Sequence, residues 1–461
     1  MGWKLLAAAS LALLALSALV YWLGAGSSYS TYLGKVAGAL AKSPGGDALA
    51  IAWNRELRLY DSAGSLRWSK TLDEDVCAAS FSPGGGKVAV FAGDRLYFIS
   101  VADGSVIKEV AMPLSCAPSS FIYWSPSGGA VLLNARGRVA YVTLAGRGEV
   151  SPYVGLTVTR VSWVSDVEAL IIDDYGKAVY SFSVPPLTVN LVASYGKSGS
   201  ASIFGDRVFI ISSKGWAALV GFGGTAYNIS LGSQVRASAV AGLGFAVVGD
   251  EALAIDPGTG DVVWKHTVIG GEGALLRLRA CGDAVAVTSA VITGKGGVRY
   301  TQILIDGEDV LEGLLPENGT DFLAWFPGCS SALVYSGGAT YIVDVEGRRV
   351  SKTEWLLFPE AAVGDYLVVT KVTDVTDKRV IGEPYLLSKD GSMKPLVKLV
   401  YTYSTPLNND TLVVIEAGGV WLVRVGAPPP SASWAWLTPA FAGAALAALA
   451  VRAFIKGKRG S

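Results

Sequence analysis

The segment SPGGGKVAVFAGDRLYFISVADG, which begins at Ser82, has a near copy on either side, and this repetition constrains the chain more than any other feature. Upstream stands SPGGDALAIAWNRELRLYDSAG from Ser43 and downstream SPSGGAVLLNARGRVAYVTLAG from Ser125, so the steps are 39 and 43 residues. Each copy reads as a Gly- and Pro-rich turn, an apolar run, a short polar break, a second alternating run and another Gly turn. That is strand, turn, strand, turn.

A period of about 40 residues made only of strands is the mark of a β-propeller blade. Beyond the third copy the phrase decays while the turns continue: SVPPLT from Ser183, GFGGT from Gly221, DPGTG from Asp256, DGEDV from Asp306, DVEG from Asp344 and SKDGS from Ser388. The runs between them are short and alternating, with no amphipathic helix. Residues 35–425 hold about nine units and a tenth, DTLVVIEAGGVWLVRV, that lacks its outermost strand. SSYSTYLGK, just before the first unit, is the candidate to supply it, since such closure removes exposed sheet edges. The expected fold is all-β, a propeller of eight to ten four-stranded blades flanked by two transmembrane helices; eight is the lower figure because some turns are candidate insertions within a blade.

Lys plus Arg and Asp plus Glu number 38 each, so no bulk charge invites a nucleic acid, and none is expected as partner. Only two glutamines occur, Gln234 and Gln302, the composition of a thermophile or of a GC-rich genome. A sole histidine, His266, leaves no multi-His metal centre, and on the strand VVWKHTV it reads as an ordinary strand residue. Acidic pairs such as Asp173 with Asp174 lack calcium-loop spacing and read as solvated strand ends. GLGFAVVG from Gly242 and GKGG from Gly294 superficially resemble phosphate loops, but neither opens a helix, so both read as turns. No catalytic residue, metal or cofactor is assigned.

Both ends of the chain have lipid-like composition. Residues 5–23, LLAAASLALLALSALVYWL, carry no charge and follow Lys4, which reads as an uncleaved signal anchor, with cleavage near the small residues 24–26 as the alternative. Residues 434–451, WAWLTPAFAGAALAALAV, precede Arg452, Lys456, Lys458 and Arg459 and read as a second span; an Ala-rich helix packed on the domain is the alternative. The basic flanks set both termini in the cytoplasm and everything between them outside. The expected segments are 1–27 as anchor, 28–426 as extracytoplasmic propeller, 427–433 as a Pro/Ser linker, 434–455 as the second helix and 456–461 as a basic tail.

ALAIDPGTGDVVW, with Ala254, Asp256, Thr259, Gly260 and Trp264, resembles the pyrroloquinoline-quinone-type propeller repeat, and LYDSAGSLRW, with Asp61, Gly64 and Trp68, is a shorter echo. The SPGG phrases are similar to the turns of WD-type and TolB-type propellers. The resemblance implies that the Asp and Gly shape the turn between the outer strands and that Trp68 and Trp264 dock neighbouring blades. Catalytic members of the quinone type hold calcium and often a disulfide between adjacent cysteines; here no cysteines are adjacent.

The four cysteines occupy matched places in successive units, which suits two bridges, Cys77 with Cys116 and Cys281 with Cys329, in an oxidising exterior; free buried cysteines are the alternative. Asn228, Asn318 and Asn409 begin Asn-x-Ser/Thr sequons. The expected function is a non-catalytic, membrane-anchored binding or scaffold module for envelope proteins or surface glycans. The alternative is a quinone-dependent dehydrogenase or a glycan-acting envelope enzyme.

Overall fold

The computed structural model describes residues 29–425 except 272, 294–295, 317–318, 377–378, 398, 400–403 and 417. Both apolar end segments, the linker, the basic tail and Asn318 lie outside the described residues. Within them, 40 strands form ten four-stranded antiparallel sheets, and no helix is long and apolar enough to cross a membrane. Blade 1 sets the pattern with β2 (Leu40–Lys42), β3 (Ala48–Trp53), β4 (Glu56–Asp61) and β5 (Leu66–Thr71), laid side by side in chain order from axis to rim.

Alternation along the middle strands explains the ring. In β3, Ala48, Ala50 and Ala52 pack toward blade 2, whereas Leu49 and Ile51 pack toward blade 10. A strand whose two faces both meet another sheet must be apolar at every position, which is why the middle strands read as unbroken apolar runs. The described residues form ten such apolar layers, one between each successive pair of blades, the tenth with the first included.

The repeated phrase has a local physical cause. In each of its three copies the serine is buried, its hydroxyl accepts the N–H five residues on (Ala48 at 3.0 Å, Lys87 at 3.2 Å, Ala130 at 3.2 Å), and its carbonyl accepts from a glycine three residues on. Those glycines, Gly46, Gly85 and Gly128, have φ of 66°, 70° and 66°, a left-handed backbone that glycine adopts without strain. The proline between presets the turn. The phrase is therefore the hinge between a blade's first and second strands.

Closure occurs at blade 10. There β38 (Ser404–Asn408), β39 (Thr411–Glu416) and β40 (Gly419–Arg424) are completed by β1 (Tyr29–Lys35) from the chain's start. The register runs antiparallel from Tyr29 opposite Arg424 to Lys35 opposite Gly419. Leu33 of β1 is buried in the layer shared with blade 1, and the Tyr60 hydroxyl of that blade donates to the Leu33 carbonyl. GLGFAVVG is more than a turn, since Gly244–Val248 within it is β23, the second strand of blade 6.

Candidate functional site

A meander of four strands puts its links on two ends. The links from first to second and from third to fourth strand lie on one face of the disc, here the lower face. The links from second to third strand, and from one blade to the next, lie on the other, upper face. Tyr29 and Arg424 stand where blade 10 would carry its third-to-fourth link, so the chain enters and leaves the ring on the lower face, side by side.

The upper face is uneven. In blade 7, β27 (Ala284–Thr293) and β28 (Gly296–Ile305) have 10 residues each, and in blade 9, β35 (Tyr366–Thr376) and β36 (Arg379–Leu387) have 11 and 9, against six in most middle strands of blades 1 to 5. Second and third strands join above the disc, so both hairpins project from the upper face. Their outermost partners are stunted: β29 (Glu308–Asp309) has two residues and β37 (Met393–Pro395) three. Apolar side chains stand in solvent on these hairpins, with Ile292 75% and Val375 63% exposed and Ile381 also exposed. Trp355 and Phe358, at the entry to blade 9, are exposed as well, and Lys371 Nζ sits 3.2 Å over the Trp355 ring.

On the same face, a cavity of about 450 Å³ opens at the upper mouth of the central channel beside blades 4 to 7. Arg160 begins β14 (Arg160–Trp163), Arg236 lies in β22 (Val235–Val240), and Lys177 and Lys197 come from upper-face links. Arg160 forks onto Asp174 at 2.8 and 3.1 Å and reaches the Ala201 carbonyl of blade 5 at 2.8 Å. Burial raises the Asp174 carboxyl, but the Arg160 fork and the Thr159 and Tyr195 hydroxyls outweigh it and hold the group below the usual aspartate range. Burial first, then the Asp174 charge, pushes the Tyr195 phenol up. Among the described residues, Arg236 donates to three carbonyls, those of Gly249 at 2.7 Å, Gly271 at 3.0 Å and Ala274 at 2.6 Å. Lys177, Lys197 and Arg236 have no described carboxylate oxygen within 4.0 Å, so the described cavity wall carries four cations against one anion.

Asp173 and Asp174 are not the solvated pair that their spacing suggests. Asp173 is buried and its carboxylate caps the turn, accepting from Tyr175 and Gly176 N–H, while Asp174 is the anion of the cavity. The physical reason is that the turn's own amides and an arginine one strand away need an acceptor.

The sequence-assigned residues fall on both faces. Cys77 lies at the upper end of β6 (Val76–Phe81) and is bonded to Cys116 of the link to blade 3; Cys281 and Cys329 are bonded across blades 7 and 8 on the lower face. Trp68 of β5 donates from Nε1 to the Val101 carbonyl of blade 2 at 2.9 Å and its ring lies against Gly104, where a Cβ would come within 2.9 Å. Trp264, in β25 (Val262–Thr267), is buried against Phe245 and the blade 7 layer. Asp61 and Asp256 accept from turn amides, as the repeat resemblance implies. Asn228 is exposed on the rim and Asn409 on a lower-face turn.

His266 is a stitch between blades. Gln302 Oε1 accepts the Ile269 N–H at 2.9 Å, so its amide nitrogen faces His266 Nε2 at 3.2 Å; Nε2 accepts, and Nδ1 donates to the Gly307 carbonyl at 2.9 Å. Asp309, which burial pushes up, lies beside them in a cavity of about 280 Å³ and takes the Ile303 and Leu311 amides. Two docking tryptophans escape the repeat motif: Trp124 and Trp325 each donate to an inner-strand carbonyl of the preceding blade, Ser80 and Arg279, at 2.9 Å. Their signal is position, since both end a first strand.

No protein family's sequence profile matches the chain, and no curated protein matches it. Solved structures similar to it include the C-terminal WD40 domain of Sif2 (11% identity, TM-score 0.43, 87% of this chain and 99% of that one). The WD40 domain of SCAP from fission yeast is similar at 10% identity and TM-score 0.43, over 87% and 99%. BamB from Moraxella catarrhalis is similar at 14% identity and TM-score 0.37, over 86% and 96%. At such values the likeness says nothing of function; the ten-bladed propeller stands on its own strand pairing.

Proposed function

We propose that the chain is a membrane-anchored, extracytoplasmic, non-catalytic scaffold whose upper face engages envelope proteins through the hairpins of blades 7 and 9. The observation that carries this reading is the pairing of Tyr29 with Arg424, which brings both exits of the ring to one point on the lower face. In sequence no more than nine residues separate the apolar stretches 5–23 and 434–451 from those two exits, and basic residues follow the second. Two anchors at one point hold the lower face toward the bilayer and turn the hairpins outward. Exposed apolar tips on a rigid frame suit protein contact, and tethering raises the local concentration of membrane partners.

Site-specific photocrosslinking in intact membranes tests the reading. A photoreactive residue at Ile292 or Ile381 is expected to capture one reproducible envelope protein, and the same residue at lower-face Asp206 is expected not to capture it. Equal capture from both faces, or none from the hairpins, contradicts it.

A further inference from the structure

We propose that the cavity beside blades 4 to 7 binds an acidic glycan, a sugar chain bearing carboxylate or sulfate groups. Its volume, about 450 Å³, lies in the range of small-ligand sites. Among the described residues, four of the five charged side chains that line it are cationic, in a chain whose acidic and basic residues number 38 each overall. The arginines are held in place before any ligand arrives. Arg236 is fixed by three carbonyls and Arg160 by Asp174 and a carbonyl, so little side-chain freedom is lost on binding. Lys177 is steadied over the Tyr195 ring at 5.7 Å, and Lys197 stands in the short link of residues 195–199 between blades 4 and 5.

The chemistry beside the charges favours a sugar over a bare phosphate or an acidic peptide. Tyr175, 80% exposed, sits in the same turn as Asp174 and Lys177. An open aromatic face in the turn that carries one of the cations matches a ligand with both an apolar C–H face and anionic groups. Ser198, Ser200 and Ser238 add hydroxyl and carbonyl partners to the lining, with the Ser238 hydroxyl 2.8 Å from the Ser198 carbonyl and 2.9 Å from the Ser200 hydroxyl.

This inference goes beyond the protein-scaffold reading and rests only on the propeller being a binding module, and it fails separately, because its test uses purified full-length protein without any partner and substitutes residues of blade 4 and its link to blade 5 rather than of the hairpins. Titration calorimetry compares a sulfated uronate oligosaccharide with neutral maltohexaose, a polyglutamate peptide and inorganic phosphate. The acidic oligosaccharide is expected to bind, the neutral one not to. Lys177→Glu and Lys197→Glu, which alter links rather than core, are each expected to weaken binding by about tenfold or more, with affinity falling as salt rises. Tyr175→Ala is expected to weaken the oligosaccharide about threefold or more and leave any residual polyglutamate binding unchanged. Thermal unfolding checks that each variant is folded. Absence of binding, indifference to the lysine reversals, or polyglutamate or phosphate binding as tightly as the oligosaccharide overturns the proposal.

Discussion

Blades 1 to 3 and blades 7 and 9 are built on one plan and put it to different use. In blades 1 to 3 the serine-proline-glycine hinge is intact, middle strands are six residues long, and their apolar side chains are spent on the layers between blades. In blades 7 and 9 that hinge phrase is lost and the middle hairpin outgrows the disc, while a fourth strand of two or three residues is a feature that blade 3 shares. Both outgrown hairpins belong to repeats without the hinge, but loss of the hinge alone does not lengthen them, since blades 4 to 6 and 8 lack it too and keep middle strands of five or six residues. If that contrast holds, substitutions in the two regions must differ in kind: stability in the first, binding in the second.

The largest effect belongs to the frame. Phe98 of blade 2 is fully buried with its ring 5.5 Å from that of Trp124, and Phe98→Ala is expected to cost about 3–5 kcal/mol in chemical unfolding. A loss under about 1 kcal/mol would show that the regular blades are not the rigid part.

Next come the bridges, one in each region. Their separations of 39 and 48 residues enter the loop entropy only as a logarithm, so replacing either pair by serine is expected to cost a similar amount, about 2–4 kcal/mol. A much smaller cost for Cys281 with Cys329 would mark the blades 7 and 8 junction as already strained or mobile.

A smaller effect separates the regions by pH. Glu360, in the first strand of blade 9, is pushed up by burial, which the Thr370 hydroxyl only partly opposes. A raised folded value means that the folded state holds this proton more tightly, so its contribution is greatest in acid and is lost as pH rises from the ordinary glutamate value through the raised one. Glu360→Gln is therefore expected to raise Tm at neutral pH and to change it little at pH about 4. Equal shifts at both pH values would contradict the assignment.

The smallest effect belongs to the hairpin. Ile292→Ser is expected to change stability by less than about 0.5 kcal/mol while weakening partner capture. A large destabilisation would make the hairpin part of the frame and erase the contrast.

What sequence makes legible is what is local or periodic. The hinge phrase, the unit length and the missing strand of the tenth unit are all short-range signals, and they lead to the ring and to its closure by β1 (Tyr29–Lys35). The cysteines are legible for the same reason, since matched places in successive repeats become neighbours. The cationic cavity is not, because Arg160 and Arg236 come from the first strands of blades 4 and 6, Lys177 and Lys197 from two links, and they meet only once the ring exists. Asp173 and Asp174 look like a solvated pair because nothing near them in sequence reveals the Arg160 guanidinium. The long hairpins leave a fainter trace, an alternating run such as AVAVTSAVIT that continues where a six-residue strand would have turned.

The central claim is that the ring stands on its lower face with its irregular upper face turned away from the bilayer. All four native cysteines are bonded, so a single introduced thiol carries a fluorophore cleanly. The direct measurement places it at Asp206, in the lower-face turn of blade 5, or at Ile292, on the upper hairpin, in full-length protein reconstituted in vesicles containing a lipid-attached quencher. The two positions are separated by at least the length of a blade strand, about 20 Å for six residues. Strong quenching at Asp206 and little at Ile292 is the predicted result; equal quenching, or quenching stronger at Ile292, would contradict the account.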